Sequence, residues 1–399
     1  MSKLDELLRE LCPDGVEYKK LGEIATISRG GNFQKKDFLT EGVPCIHYGQ
    51  IYTKYGLFAD KTFTFISEEC AKKQKMARPN DIVMAVTSEN IEDVCKCLAW
   101  LGDEPVAVSG HSAIIHHNQN AKYLVYYFHS QMFFAQKRKL AHGTKVIEVT
   151  PDALVDIALP VPPIEIQREI VRILDNFTNL TAELTAELTA RGIQYSYYRN
   201  KLLTFHSDTK IVQLADIADI GTGSSNTNEA VEDGKYPFFV RSQEPLRKND
   251  FEYDETAIIT AGDGVGVGKV YHYIEGRYAL HQRAYRIHIN TPEVVPKYYF
   301  HYMKAKFLPY IQKTMFQGSV ASIRRPMLNA FPVPVPSLDV QNRIVKVLDN
   351  FEKICSDLNI GLPAEIEARQ KQYEYYRDKL LTFAENGNTI LSRAEQSTD

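Results

Sequence analysis

Residues 194–205 read QYSYYRNKLLTF and residues 372–383 read QYEYYRDKLLTF, with ten of twelve letters the same. An internal repeat constrains a fold more than any single motif, because the same words must build the same local surface twice. Here it runs well beyond twelve letters. PVPPIEIQREIVRILDNF (160–177) aligns without gaps on PVPSLDVQNRIVKVLDNF (334–351). Upstream, LGEIATISRG (21–30) answers LADIADIGTG (214–223), and VPCI (43–46) answers YPFF (236–239) at the same offset. Lys122-Tyr123 matches Lys297-Tyr298, and Gly143-Thr144 matches Gly318-Ser319. The order never changes, so each half is a block of about 150 residues followed by one helical segment.

The blocks read as mostly β with some helix. Runs such as DIVMAV (81–86), AVSGHSAIIHH (107–117), TAIITAG (256–262) and AYRIHI (284–289) are short, β-rich and bounded by Gly, Pro, Asn and Asp. Each block then carries a predicted helix, over 122–140 and over 296–314. Each closes on LPVPP or FPVPVP, where proline fixes an extended backbone and stops a sheet from continuing.

In the helical segments Ile170, Leu174, Phe177, Leu184 and Leu188 step by 4, 3, 7 and 4, and Ile344, Leu348, Phe351, Leu358 and Leu362 repeat those steps. One apolar stripe per helix suits helix–helix packing, and the economical arrangement pairs the two as an antiparallel coiled coil bridging the blocks. A helix of about 40 residues is roughly 60 Å long, so it is a spacer as well as a clamp. The first carries TAELTAEL at 181–188. The second is four residues longer there and contains GLPAE, where Gly361 and Pro363 should interrupt the helix.

A net charge of −3 excludes a protein that binds polyanions through overall basicity. Residues 1–155 hold 19 basic and 19 acidic side chains and 207–332 hold 15 and 14, whereas 156–206 and 333–399 are more acidic, at 5 against 6 and 8 against 11. A polyanion site therefore belongs to the blocks, as local patches. The six cysteines show no second pair at zinc spacing and read as structural thiols. No apolar run approaches a membrane span, the N-terminal segment has no secretory core, and a cytoplasmic protein is expected.

Two divergent β-rich blocks, each followed by a near-identical helix opening with PVP…Q..IV..LD.F and closing with QY.YYR.KLL.F, resemble the specificity subunit of type I restriction–modification enzymes. The likeness covers nearly the whole chain and includes the TAEL spacer repeat and the GSVASI turn (318–323). The first block departs from it, with TKVIEV (144–149) in place of SVASI. The resemblance implies an α+β fold: two β-rich target-recognition domains in a pseudo-two-fold repeat, linked by two long helices forming the antiparallel coiled coil. Its segments would be a first recognition domain (1–158), a helical spacer (159–206), a second recognition domain (207–332), a second spacer (333–385) and a flexible tail (386–399). Each recognition domain would read one half of a bipartite, asymmetric double-stranded DNA target. The helices would set the spacing and dock two methyltransferase subunits, with two restriction subunits as further candidate partners. The chain itself would be non-catalytic and hold no cofactor, S-adenosylmethionine and ATP with Mg belonging to the partners.

Base-reading side chains should be forked or amide groups on loops, because these match base edges in the major groove. In the first block the candidates are Arg29, Asn32, Gln34, Lys35 and Lys36, then His47, Tyr48 and Gln50 after the VPCI strand. In the second they are Ser225 and Asn226, then Arg241, Ser242 and Gln243 after YPFFV, with Lys269, His281 and Arg283 beyond. Lys137, Lys139 and Lys145, and Arg324 and Arg325, suit phosphate contacts that fix register without reading sequence. Kept nearly identical while the blocks diverge, Tyr197, Tyr198 and Arg199, with Tyr375, Tyr376 and Arg377, are the expected partner-binding positions.

Catalytic signals are weak. TAGDGVGVGKV (260–270) fails the P-loop pattern at Asp263 and Val270 and lacks the third glycine of a dinucleotide loop. PDGVEYK (13–19) places its carboxylates too close together for a nuclease metal site, and no Asn/Asp-Pro-Pro-aromatic run is present. The competing reading is a coiled-coil adaptor with two β-rich protein-binding modules. Sequence-dependent, salt-sensitive binding to duplex DNA separates the two.

Overall fold

The computed structural model describes residues 2–314, 322–357 and 360–383. The chain divides into two compact units, Met1–Glu183 with the described part of Ile366–Asp399, and Leu184–Glu365. The division runs through the helical spacers, so each unit contains one block and a portion of both helical segments.

In the first unit the main strands are β1 (Ala25–Arg29), β2 (Val43–Ile46), β3 (Phe58–Ala59), β4 (Thr64–Ile66), β5 (Lys75–Ala77), β6 (Ile82–Ala85), β7 (Cys97–Trp100), β8 (Val106–Val108) and β9 (Ser112–His117). They make two sheets, ordered β1-β9-β6-β7-β3 and β4-β2-β8-β5. The second unit has β10 (Ala218–Thr222), β11 (Tyr236–Phe239), β12 (Leu246–Lys248), β13 (Tyr253–Ala261), β14 (Tyr271–Leu280) and β15 (Ala284–Ile289), in one sheet ordered β10-β15-β13-β14-β11-β12. The sequence repeat returns as register. Arg29 to Ala25 on β1 face Ala113 to His117 on β9, and Thr222 to Ala218 on β10 face Tyr285 to Ile289 on β15. The β-rich runs DIVMAV and TAIITAG become interior strand segments, with Ile82–Ala85 and Ala257–Ala261 buried throughout.

The helices that matter here are α1 (Ala121–Phe128), α2 (Gln131–Leu140), α3 (Ile164–Leu202), α4 (Pro296–Thr314), α5 (Leu338–Ser356) and α6 (Leu362–Leu381), beside shorter ones such as Lys3–Leu11. The helix expected over 122–140 is two helices. Ser130, in extended backbone, starts a new one by accepting the Phe133 N–H on its hydroxyl, as N-cap serines do. The second helical segment is interrupted between Ser356 and Leu362, with Gly361 in the break and Pro363 in the first turn of α6, where its missing N–H is tolerated. The Gly361 N–H donates to the Asp357 carbonyl at 3.0 Å, and a Cβ there would lie 2.6 Å from the Lys353 carbonyl oxygen.

Much of the repeated sequence turns out to build a joint between each block and its helix. Tyr18–Lys20 pairs antiparallel with Ala158–Pro160, and Ile211–Gln213 with Pro332–Pro334. The Tyr123 hydroxyl donates to the Pro160 carbonyl at 3.0 Å, and Tyr298 to Pro334 at 2.9 Å. The glutamine of the PVP…Q motif does the rest. Gln167 accepts the Asn120 N–H at 3.0 Å and donates to the Pro162 carbonyl at 2.8 Å. Gln341 accepts the Val295 N–H at 2.8 Å and donates to the Pro336 and Glu293 carbonyls, also at 2.8 Å. Both glutamines are almost fully buried, so these bonds satisfy groups that water cannot reach.

Along the apolar stripes Ile170, Leu174, Ile344 and Leu348 are buried, Phe177, Leu184, Leu188, Phe351 and Leu362 are half-buried, and Leu358 lies outside the described residues. In the first unit Phe177 stacks on Tyr376 with centroids 5.3 Å apart, and in the second Phe351 stacks on Tyr198 at 5.8 Å. In the second unit Tyr198 meets Phe351 while Arg191 lies near Cys355, the antiparallel order for α3 and α5.

Candidate nucleic-acid interface

In the second unit, segments that are remote in sequence meet beyond the ends of β10, β11 and β13 and before the start of β15. Backbone bonds knit them. The Gln282 N–H donates to the Ser225 carbonyl at 3.0 Å, His281 to Phe239 at 2.9 Å, Gly262 to Arg283 at 2.9 Å and Ile323 to Gly262 at 2.8 Å. A Cβ on Gly266 would lie 2.4 Å from the Arg241 carbonyl oxygen, so the glycine-rich segment is a turn pressed against that loop. On this frame Asn226, Arg241, Ser242, Gln243, Lys269, Arg283, Arg324 and Arg325 are exposed. Asp263 sits among them. Its Oδ1 accepts from Arg241 Nη1 at 2.7 Å and its Oδ2 from Arg283 Nη1 at 3.4 Å.

Two candidates of this unit are part of the frame instead. Ser225 is 2% exposed, donates its hydroxyl to Glu252 and accepts from Lys248 Nζ at 2.9 Å. His281 is 5% exposed and its Nδ1 accepts the Arg283 N–H at 3.0 Å. Burial, with Arg241 and Arg283 nearby, draws the imidazole pKa down. Sequence alone could not separate them from their exposed neighbours, since loop position is shared and burial is not.

In the first unit Asn32, Gln34, Lys35 and Lys36 are exposed after β1. Asn32, Gln34 and Lys36, with Lys73 and Gln74, line a polar cleft of about 390 Å³. Arg29, at the end of β1, is paired with Glu148. Tyr48 joins the same loop cluster through His111: its N–H donates to Ser109 Oγ at 2.8 Å, its ring sits 4.9 Å from that of His111, and His111 Nδ1 lies 3.3 Å from Thr87 Oγ1. Lys139 and Lys145 are exposed.

Three first-unit candidates face inward. Lys137 is 5% exposed, and its ammonium donates to the Glu92 and Val94 carbonyls at 2.8 and 2.6 Å, holding that loop together. Burial lowers its pKa. Gln50 is buried between the His47 N–H and Thr64 Oγ1. His47 packs against Phe33, Phe38 and Tyr48, and burial again lowers its pKa. The GSVASI turn lies largely outside the described residues.

At the repeated helix ends, Tyr197 and Tyr375 are 59% and 60% exposed, while Tyr198 and Tyr376 make the stacks described above. Lys201 and Lys379 lie 5.9 and 5.6 Å from the centroids of Tyr197 and Tyr375. Arg199 is half-buried over Tyr195. Arg377 is 7% exposed and pairs with Asp378, so it is an internal ion pair rather than an open contact. Among the described residues His301, Asp349 and Glu352 bring possible ligand atoms within 4.8 Å of one another. Lys304 Nζ already lies 2.7 Å from Glu352 Oε1 and supplies a cation there. No helix among the described residues is long and apolar enough to cross a membrane.

The loop-reading criterion overlooked Glu148 and Asp263. Carboxylates are the residue type least expected on a surface that meets a polyanion, so charge-based selection passes over them.

Residues 13–191 and 206–368 match the family described as the type I restriction modification DNA specificity domain. The chain is 37% identical over 251 residues to the specificity subunit of the Escherichia coli type I restriction enzyme EcoR124I/EcoR124II, a stretch covering 56% of this chain and 61%, less than two thirds, of that relative. It is 28% identical over 311 residues to a Haemophilus influenzae chain assigned as a type I restriction enzyme specificity subunit, covering 71% of this chain and 77% of the other. The crystal structure of an S subunit of a type I restriction-modification system from M. genitalium shares the fold, with a TM-score of 0.59 at 13% identity over 93% of this chain and 97% of that one. Matched twice, over two units that repeat each other in register and differ at their tips, the chain belongs to the type I restriction-modification DNA specificity family.

Proposed function

We propose that this chain is the non-catalytic subunit that selects DNA sequence for a type I restriction–modification complex, each unit reading one half of a split, asymmetric target. The observation that carries this reading is the contrast within the chain: one joint built twice, and two tips that place different polar side chains at equivalent positions. A protein with one task repeated would keep both tips alike. Exposed Arg241, Arg283, Asn226 and Gln243 in the second unit, and Asn32, Gln34, Lys35 and Lys36 in the first, have the forks, amides and ammonium groups that base edges accept. Lys139, Lys145, Arg324 and Arg325 supply phosphate contacts.

The chain acts with DNA and other restriction–modification subunits. The finer reading is that two methyltransferase subunits dock on the twin Tyr197–Tyr198 and Tyr375–Tyr376 surfaces, since two equivalent surfaces bind two copies of one partner. S-adenosylmethionine, and ATP with Mg in any nuclease subunit, then belong to those partners, and the complex works in the cytoplasm.

The test is to sequence the methylated sites of cells expressing the methyltransferase with and without this chain. A split motif modified only in its presence is the expected result. An active methyltransferase whose pattern ignores the chain moves the adaptor reading ahead.

A further inference from the structure

We propose that Asp263 is a positioning residue for base selection by the second unit: it holds Arg241 and Arg283 in one paired arrangement and thereby fixes which bases they accept. The inference rests on the DNA-reading function above and concerns a residue type that such a surface should exclude.

Three observations support it. First, the two guanidinium groups share one carboxylate, one oxygen each, at 2.7 and 3.4 Å. Two like charges converging on one loop cluster repel, and a carboxylate between them removes that repulsion and limits their rotamers. Each guanidinium still has N–H groups to offer, in the planar fork that pairs with guanine O6 and N7. Second, the backbones carrying all three side chains are fixed. Gly262 bonds Arg283, Gly266 packs on Arg241, and the Asp263 backbone bridges to Ser322. A carboxylate on such a frame sets direction, which a mobile counter-charge would not.

Third, the first unit has the same device in different residues. There Thr87 pairs with Glu148 across the strand Thr87–Ser88, and Glu148 holds Arg29. Val149 donates to the Val86 carbonyl just as Ile323 donates to Gly262, so Thr87–Glu148 and Asp263–Ser322 are equivalent pairs. Hydroxyl and carboxylate have changed sides across the same bridge, and in each unit the acid engages arginine. A solvated surface acid has no reason to be replaced from the neighbouring strand.

The test uses the assembled complex with its methyltransferase, carrying Asp263→Asn, Asp263→Ala or Asp263→Glu, with methylated sites sequenced. The half-site read by the first unit serves in every product as the control for folding and assembly. The expected result is relaxed selection at one or two neighbouring positions of the second half-site, with preference falling about tenfold or more, the first half-site unchanged, and partial recovery in the Glu variant. Asn and Ala variants that keep the parent motif overturn the proposal. So does a uniform gain in affinity for all duplexes with both half-sites intact, which makes Asp263 a counter-charge only. A parent complex that directs no motif sinks the DNA-reading function itself and this proposal with it.

Discussion

At the base of each unit the same residues make the same bonds, and at the tips equivalent positions hold different chemistry. Tyr123 and Tyr298 reach the carbonyls of Pro160 and Pro334, and Gln167 and Gln341 satisfy matching backbone groups. At the tips Thr87 faces Glu148 in one unit and Asp263 faces Ser322 in the other. The joint is a burial problem, in which every polar group needs a partner and few side chains fit. On the proposed function the tip is the recognition surface, where the frame must hold but the presented groups are free to differ.

The sharpest way to break this comparison is at the glutamines. Gln341→Leu strands the Val295 N–H and the carbonyls it serves, and should lower stability by about 3–5 kcal/mol, with Gln167→Leu costing a similar amount. Chemical denaturation of both variants checks it. A cost near zero in either unit shows that the two joints are not equivalent.

Acid should act next. His117 is buried with Nδ1 accepting the Gln119 N–H, and burial draws its pKa down to about 4, against a smaller opposing pull from Asp81. The unfolded chain takes up a proton near pH 6.5 while the folded one does not. Stability is therefore full above pH 6.5 and falls by about 1.4 kcal/mol per pH unit toward pH 4. The fully buried His301, lowered by burial despite Asp349 and Glu352, adds in the same direction in the second unit. Melting curves at pH 7 and pH 5 should differ less for His117→Gln than for the parent. An unchanged pH dependence would assign the acid sensitivity elsewhere.

The smallest effect on stability, and a test of the repeated helix ends, is expected at Tyr197→Ala and Tyr375→Ala. Both side chains are largely exposed, so unfolding free energy should move by no more than about 0.5 kcal/mol. Co-purification with the methyltransferase should fall for each single variant and be lost in the double one. Full retention removes these tyrosines from the partner surface.

The repeat made the architecture legible because it is carried by letters: PVP…Q, QY.YYR and the apolar stripe each have a structural duty that a sequence comparison of the chain with itself exposes. The interruption at Gly361–Pro363 was legible for the same reason, as local backbone chemistry. The split between α1 and α2 was hidden because apolar residues resume at once after His129-Ser130, with Met132, Phe133 and Phe134, and no Gly or Pro marks the break. At the candidate binding positions the letters locate a side chain along the chain but do not orient it. Lys137, Gln50, His47, Ser225, His281 and Arg377 look like their exposed neighbours in the sequence and differ only in what the folded chain places over them. Asp263 became visible only when Arg241 and Arg283, 42 residues apart, were seen on one carboxylate.

The Tyr18 hydroxyl donates to the carbonyl of Phe383 at 3.1 Å, so the last described residue returns to the block where the chain started. Phe205, its repeat partner, lies against Tyr298 in the second unit, where the next block simply continues the chain. The two LLTF segments thus occupy the same kind of seat, one reached along the backbone and the other across a gap. Each LLTF segment is part of its own unit's core, with Leu381 and Phe383 buried in the first and Leu203 in the second, so a chain cut before either segment should lose core packing and not merely a helix end.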